Sequence, residues 1–196
     1  LTEGTVRLGE RDARFTSPRE AIEAGVVMLP GDRKAEGLFL MQSVRDNAMA
    51  AARALARLFK GAKRTPYGDG DAFDALLRKV DVRAGSLDQD IATLSGGNQQ
   101  KAILARWLAL RPKVLLFIEP TRGVDVNAKA GIYQAMRELA REGAAILVVS
   151  SDLPEVLGVA DRVLVMRDGQ IVAERPRGVS EADVMHDATG DQRVAA

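Results

Sequence analysis

From Lys113 onward the chain changes hydrophobic period in a regular way. KVLLFI (113–118) and AAILVVS (144–150) are short continuous apolar runs, the pattern of strands buried in a sheet. Between them, residues 125–142 space their apolar positions as a helix does, and 153–159 form a second, shorter helix. RVLVM and QIVAE follow as strands joined by Asp168-Gly169, a pair suited to a tight hairpin turn. Upstream, residues 5–8 and 13–15 flank GERD as a small hairpin. Ser17 caps a short helix with Pro18 in its first position, and Gly25 stops it. GVVMLP (25–30) is then a fully apolar strand, which places Met28, like Met166, in the core.

Apolar strands alternating with helices predict an α/β domain with a sheet covered on both faces. One stretch interrupts the alternation. After GDRKAEG, residues 43–46 open an Ala- and Arg-rich helix to about residue 59; KGAKRTPYGDGD is loop, and 72–82 is another helix. The expected organisation is therefore a single domain over 1–196, with an α/β core from 1–42 and 93–179. A helical lobe at 43–92 is inserted into it, and 180–196 form a C-terminal tail.

Composition narrows the classes. The 28 Lys and Arg nearly cancel the 27 Asp and Glu, so charge offers no reason to expect a nucleic-acid partner. Arg53, Arg57, Lys60, Lys63 and Arg64 read as a solvated helix face and loop. Absence of cysteine excludes disulfides and thiolate metal sites. No apolar run approaches the ~20 residues that span a bilayer, and LTEGTVRLGERD has no apolar core of signal-peptide type. A link to a membrane would come through a partner.

Candidate chemistry sits in two places. In LSGGNQQ (94–100), Ser95-Gly96-Gly97 leads into a helix with Ile103, Leu104, Trp107 and Leu108 on one stripe. Two glycines permit close backbone approach, and the helix N-terminus favours an anion such as phosphate. The strand VLLFIEP runs into TRGVD, with Glu119 at its tip.

Their order resembles the ATP-binding domain of ABC transporters, with LSGGNQQ as signature, VLLFIEP as Walker B strand and TRGVD as D-loop. GDRKAEGLF, SVRDN, LSGGNQQK, EPTRGVDVNAK and SSDLPEV together look like the second nucleotide-binding domain of bacterial monosaccharide importers of the ribose, xylose and galactose type. The resemblance implies a P-loop NTPase-like ABC ATPase core with an inserted helical lobe. It also implies ATP and Mg as cofactors, and a position at the cytoplasmic face of the bacterial inner membrane. Implied partners are another nucleotide-binding domain, transmembrane permease subunits and, indirectly, a periplasmic sugar-binding protein. Ser95, Gly96, Gly97, Asn98 and Gln99 would meet an ATP held by the other domain, with Asp125 at the interface. Glu119 would polarise the attacking water. The helical lobe would touch the permease.

Four departures weaken catalysis. No Gly-x4-Gly-Lys-Ser/Thr occurs, so the core is expected to be partial, lacking the Walker A strand and helix and truncated at its N-terminus. Ile118 occupies the place of the Walker B aspartate, Gly31 the Q-loop position, and Ser151 the switch-histidine position. His186, the single histidine, reads as a surface or packing residue. The expected role is a non-hydrolysing half-site with no tightly bound cofactor. The rival reading is the C-terminal lobe of a chromosome-maintenance or DNA-repair ATPase, against which the missing heptads count. A missing interior strand would leave unpaired edges, and hence self-association or a rearranged core.

Overall fold

A computed structural model describes residues 5–58 and 70–190. Lys60, Lys63, Arg64 and most of the predicted loop at 60–71 lie outside them. Arg53 pairs with Asp46 on its own helix, as a solvated face would.

The chain opens with a hairpin of β1 (Val6–Leu8) and β2 (Arg11–Ala13). Gly9 adopts φ +65, so the chain reverses within two residues, and the second strand starts earlier than expected. In α1 (Pro18–Ala24) the Ser17 hydroxyl accepts from Glu20 N–H, and Gly25 closes the helix at φ +91. Both follow from the sequence pattern.

Three parallel strands make the central sheet, in the order β3 (Val26–Leu29), β4 (Val114–Ile118), β5 (Ala145–Val149). Their register aligns Val27 with Leu115 and Ile146, and Leu29 with Phe117 and Val148. That face is the buried one. It packs under α4 (Gly96–Leu108) and α5 (Val126–Arg141) through Ile103, Leu104, Ile132 and Met136.

The opposite face is apolar and open. Met28 is 49% exposed, and Leu147 and Val149 are each 50% exposed. Coverage on both faces and a core position for Met28 are therefore corrected: among the described residues no helix buries this side. β5 pairs only with β4 there, so the sheet ends in an apolar strand.

Helices α2 (Val44–Leu58) and α3 (Gly70–Lys79) pack on α4, and Ala48, Ala52, Phe73, Leu76 and Leu77 join the same core as the sheet. The inserted helices thus share the core rather than forming one of their own. A second, smaller core lies behind β6 (Arg162–Arg167) and β7 (Gln170–Pro176), where Val163 and Val165 meet Val184 of α7 (Glu181–Thr189) and Val156 of α6 (Leu153–Val159). Asp168 and Gly169 both take positive φ, giving the turn their sequence predicts. Met166 points outward at 63% exposure and is not a core residue. The expected tail is a docked helix as far as Thr189, tied by Arg175 to both oxygens of Asp187 at 2.7 and 2.8 Å.

Between lobe and core lies a buried polar knot. Arg106, 7% exposed, donates to Asn47 O at 2.7 Å, Gly37 O at 2.6 Å and Asn47 Oδ1 at 3.1 Å, beneath the ring of Phe39. Burial pushes its pKa down to about 10, which still leaves it charged at neutral pH. Asn47, fully buried, also accepts from Phe39 N–H and donates to the carbonyls of Phe39, Gln42 and Ser43. Replacing Asn47 by Ala strands several of these groups without water. We expect Asn47→Ala to lower unfolding stability by about 3 kcal/mol in urea denaturation, against under about 0.5 kcal/mol for the exposed Glu23→Ala.

Candidate functional site

The carboxyl ends of the three parallel strands bring Gly31, Ile118, Glu119 and Ser151 together, the place where open α/β sheets bind ligands. Gly31 follows β3 after Pro30, and a Cβ built on it would lie 3.4 Å from Ile118 Cγ2 and 3.7 Å from Glu119 Cβ. Glu119 adopts φ +47, a conformation uncommon for a residue with a side chain. It is held there at both ends: its N–H donates to Val149 O at 2.7 Å, and its carbonyl accepts from Arg122 N–H at 3.1 Å. Its carboxylate turns toward the end of β5, accepting Ser151 N–H at 2.8 Å and the Ser151 hydroxyl at 3.1 Å. Both oxygens of the one acid at the tip of β4 are therefore engaged within the chain.

A second group forms around the start of α4. Ser95 is exposed and caps the helix, accepting from Asn98 N–H and from Asn98 Nδ2 at 3.1 Å. Asn98 Oδ1 accepts from Arg83 N–H at 2.8 Å. Gln99 is buried at 4% exposure. It donates to Ile91 O at 3.2 Å and accepts from Arg33 Nε at 3.2 Å, so its amide serves the interior. Asp125, exposed, caps α5 by accepting from Ala128 N–H at 2.9 Å.

The two glycines have reasons inside the chain. A Cβ at Gly96 would come within 2.6 Å of Arg33 Nη2 and 2.8 Å of Gly123 O; one at Gly97 would meet Ala128 Cβ at 2.3 Å. Small residues are what let the start of α4 lie against the loop before α5 and the first turn of α5. The strand-end group joins this one through residues 119–125, since the turn that holds Glu119 continues through Arg122 and Gly123 to Asp125.

Two features escaped sequence reasoning. Arg33 reaches into this second group from the loop after β3, a contact no local spacing announces. The other is a polar cluster under α6. There Lys129 Nζ meets Asp152 Oδ2 at 2.7 Å, and the buried Glu155 accepts from the Ser150 hydroxyl at 2.5 Å. The Lys129 bond lowers the Asp152 pKa and the same bond raises that of Lys129. Tyr133 lies beside the cluster, its phenol raised chiefly by burial. Only the lone lysine in the first turn of α5 and the acidic start of α6 hinted at such a tie.

A family model described as ABC transporter matches residues 1–122, more than half of the chain. The chain belongs to the ABC transporter family. Among curated relatives, it is 49% identical over 174 residues to a ribose import ATP-binding protein of Burkholderia ambifaria, covering 88% of this chain and 33% of that one. It is 42% identical over 194 residues to that of Shouchella clausii, covering 98% and 38%. An arabinose import ATP-binding protein of Pseudomonas savastanoi pv. phaseolicola is 45% identical over 186 residues, covering 93% and 35%. The chain thus spans between a third and two fifths of the length of these relatives. In fold it is similar to a crystal structure of a nucleotide-free ATP-binding cassette from an ABC transporter, with TM-score 0.73 at 22% identity, over 98% of this chain and 75% of that one.

The α4 turn, the β4 tip and residues 121–125 are the segments whose sequence resembles the signature, Walker B and D-loop of that family. The strand-end group does not suit a magnesium shell. The Ile118 side chain offers no oxygen, Gly31 offers no side chain, and both Glu119 carboxylate oxygens are hydrogen-bonded to Ser151.

The packing at Gly97 can be tested directly. We expect Gly97→Ala to cost about 2 kcal/mol in chemical denaturation, because its new methyl overlaps Ala128. Adding Ala128→Gly should recover about half of that loss, the remainder being the intrinsic penalty of glycine in a helix.

Proposed function

We propose that this domain is part of the ATP-binding subunit of a carbohydrate importer and acts as a non-hydrolysing half-site. In this role it completes an ATP site held by a second nucleotide-binding domain. The observation that carries the reading is the contrast between the two groups. At the strand ends, the one available carboxylate is engaged by Ser151 and its neighbours are Ile118 and Gly31. At the start of α4, Ser95 and Asp125 stand on the surface with ordered caps. The first group lacks what metal-assisted phosphoryl transfer asks of a protein. The second offers a hydroxyl, backbone N–H groups and a helix N-terminus to a nucleotide presented from outside.

Ser95, Gly96, Gly97 and Asn98 are the residues assigned to that nucleotide, with Asp125 at the seam between the domains. Gln99 supports them from below. ATP with Mg is the cofactor of the paired domain. A membrane permease is the partner of α2 and α3, which places the protein peripherally on the cytoplasmic side of the inner membrane. Relatives named for ribose and for arabinose import both match, which supports a sugar cargo while leaving its identity to the permease and a separate binding protein. No helix among the described residues is long and apolar enough to cross a membrane.

Isothermal titration of the chain with Mg-ATP should show no specific binding at millimolar nucleotide. Micromolar binding that disappears in Glu119→Gln or Ser95→Ala would overturn the assignment. Added to a subunit carrying the complementary nucleotide-binding domain, the chain should raise ATP turnover by about ten-fold, and Ser95→Ala should abolish that gain.

A further inference from the structure

We propose that Arg33 is a positioning residue that holds the signature turn and the D-loop in one fixed relation; the purpose given to that relation rests on the half-site reading above. Arg33 lies directly after Asp32, which caps a single π-turn (Arg33–Gly37) by accepting from Lys34 and Ala35 N–H at 3.0 Å each. From there the guanidinium makes three hydrogen bonds. Nε donates to Gln99 Oε1 at 3.2 Å, Nη1 to Arg122 O at 2.6 Å and Nη2 to Gly123 O at 3.0 Å. The first acceptor belongs to the signature helix and the other two to the D-loop. All three are neutral oxygens arranged around one rigid plane, a geometry an arginine fork can match and a lysine ammonium cannot.

The surrounding glycines give independent support. Gly96 and Gly123 flank the guanidinium, and Gly96 has room for no Cβ because Arg33 Nη2 and Gly123 O fill that space. Gly123 sits at φ +65, a conformation that favours glycine, and its carbonyl accepts from Arg33 Nη2. The same π-turn ends at Gly37, whose carbonyl accepts Arg106 Nη1 further along α4. One five-residue turn after β3 therefore grips α4 at Gln99 and again seven residues later at Arg106. It reaches across to the D-loop from the first of these points. Gly31, at the strand end, is only two residues away, so a displacement there passes to both surfaces through Arg33.

Hydrogen–deuterium exchange on the full chain tests this, comparing wild type with Arg33→Ala, Arg33→Lys and Gln99→Ala. Arg33→Ala should speed exchange by about ten-fold at residues 95–99 and 122–126 together, with 162–176 unchanged as a check on folding. Arg33→Lys should behave like Arg33→Ala, and Gln99→Ala should affect residues 95–99 alone. Unchanged exchange at either segment in Arg33→Ala, or full protection in Arg33→Lys, would overturn the proposal. Should Arg33→Ala fail to fold, Arg33→Lys and Gln99→Ala decide the matter. The turnover assay with the complementary subunit separates the two readings. If wild type gives no stimulation while exchange responds as stated, the half-site reading falls and the clamp stands. If wild type stimulates, Arg33→Lys should lose most of that gain at unchanged KM for ATP.

Discussion

Helix α4 buries ten of its thirteen residues, and among them are Gln99, Lys101 and Arg106. Polar groups taken out of water must find partners, or the helix could not stay where it is. Each of the three reaches a different part of the chain. Gln99 meets Arg33 and Ile91 O, Lys101 Nζ meets Asp81 at 2.9 Å, and Arg106 meets Asn47 and Gly37. The inserted helices, the segments that follow them and the loop after β3 are thereby registered on one element. Its apolar residues Ile103 and Leu104 supply the driving force, and its polar ones set the arrangement. The turn that opens this helix is the surface proposed to meet a nucleotide, and its position is set by the same contacts.

The sheet is less complete than its core. Its lower face is sealed by α4 and α5, yet Met28, Leu147 and Val149 remain half exposed on the other, and β5 ends with a free edge among the described residues. An apolar face and an unpaired apolar strand on one side are unfavourable in water. The hairpin β6–β7 with α6 and α7 solves its own burial separately, through Val163, Val165 and Val184. The domain thus has one strong centre, a small cluster of Val44, Ile91 and Ala102 beside it, and a satellite core behind the hairpin.

At the strand ends, a single acid remains and its conformation is informative. Left-handed backbone at Glu119 costs energy, which two backbone bonds and the pair to Ser151 offset. With Ile118 beside it, that carboxylate acts as a latch between β4 and β5. Residues 121–125 continue from the same turn, so the latch also fixes where Asp125 emerges.

How much of this was legible before folding depends on the range of each interaction. Ser17 as a cap, Gly25 as a stop, Asp168-Gly169 as a turn and the apolar runs of β3 to β5 are local devices, written within a few residues of where they act. The ordered motifs LSGGNQQ and EPTRGVD likewise named the family, and the absence of acids at Gly31 and Ile118 was visible at once. Which face of β3 is buried was not: Met28 and Val27 are equally apolar, and only the placement of α4 and α5 separates them. Nor could spacing show that Gln99 turns inward, that Gly97 is small for the sake of Ala128, or that Arg33 spans 66 and 89 residues to its acceptors. By itself the sequence determined most of the elements and which side chains stand at the strand ends. Tertiary structure alone decided which polar groups hold those elements in register, because each such bond joins residues that become neighbours only when α4 is buried.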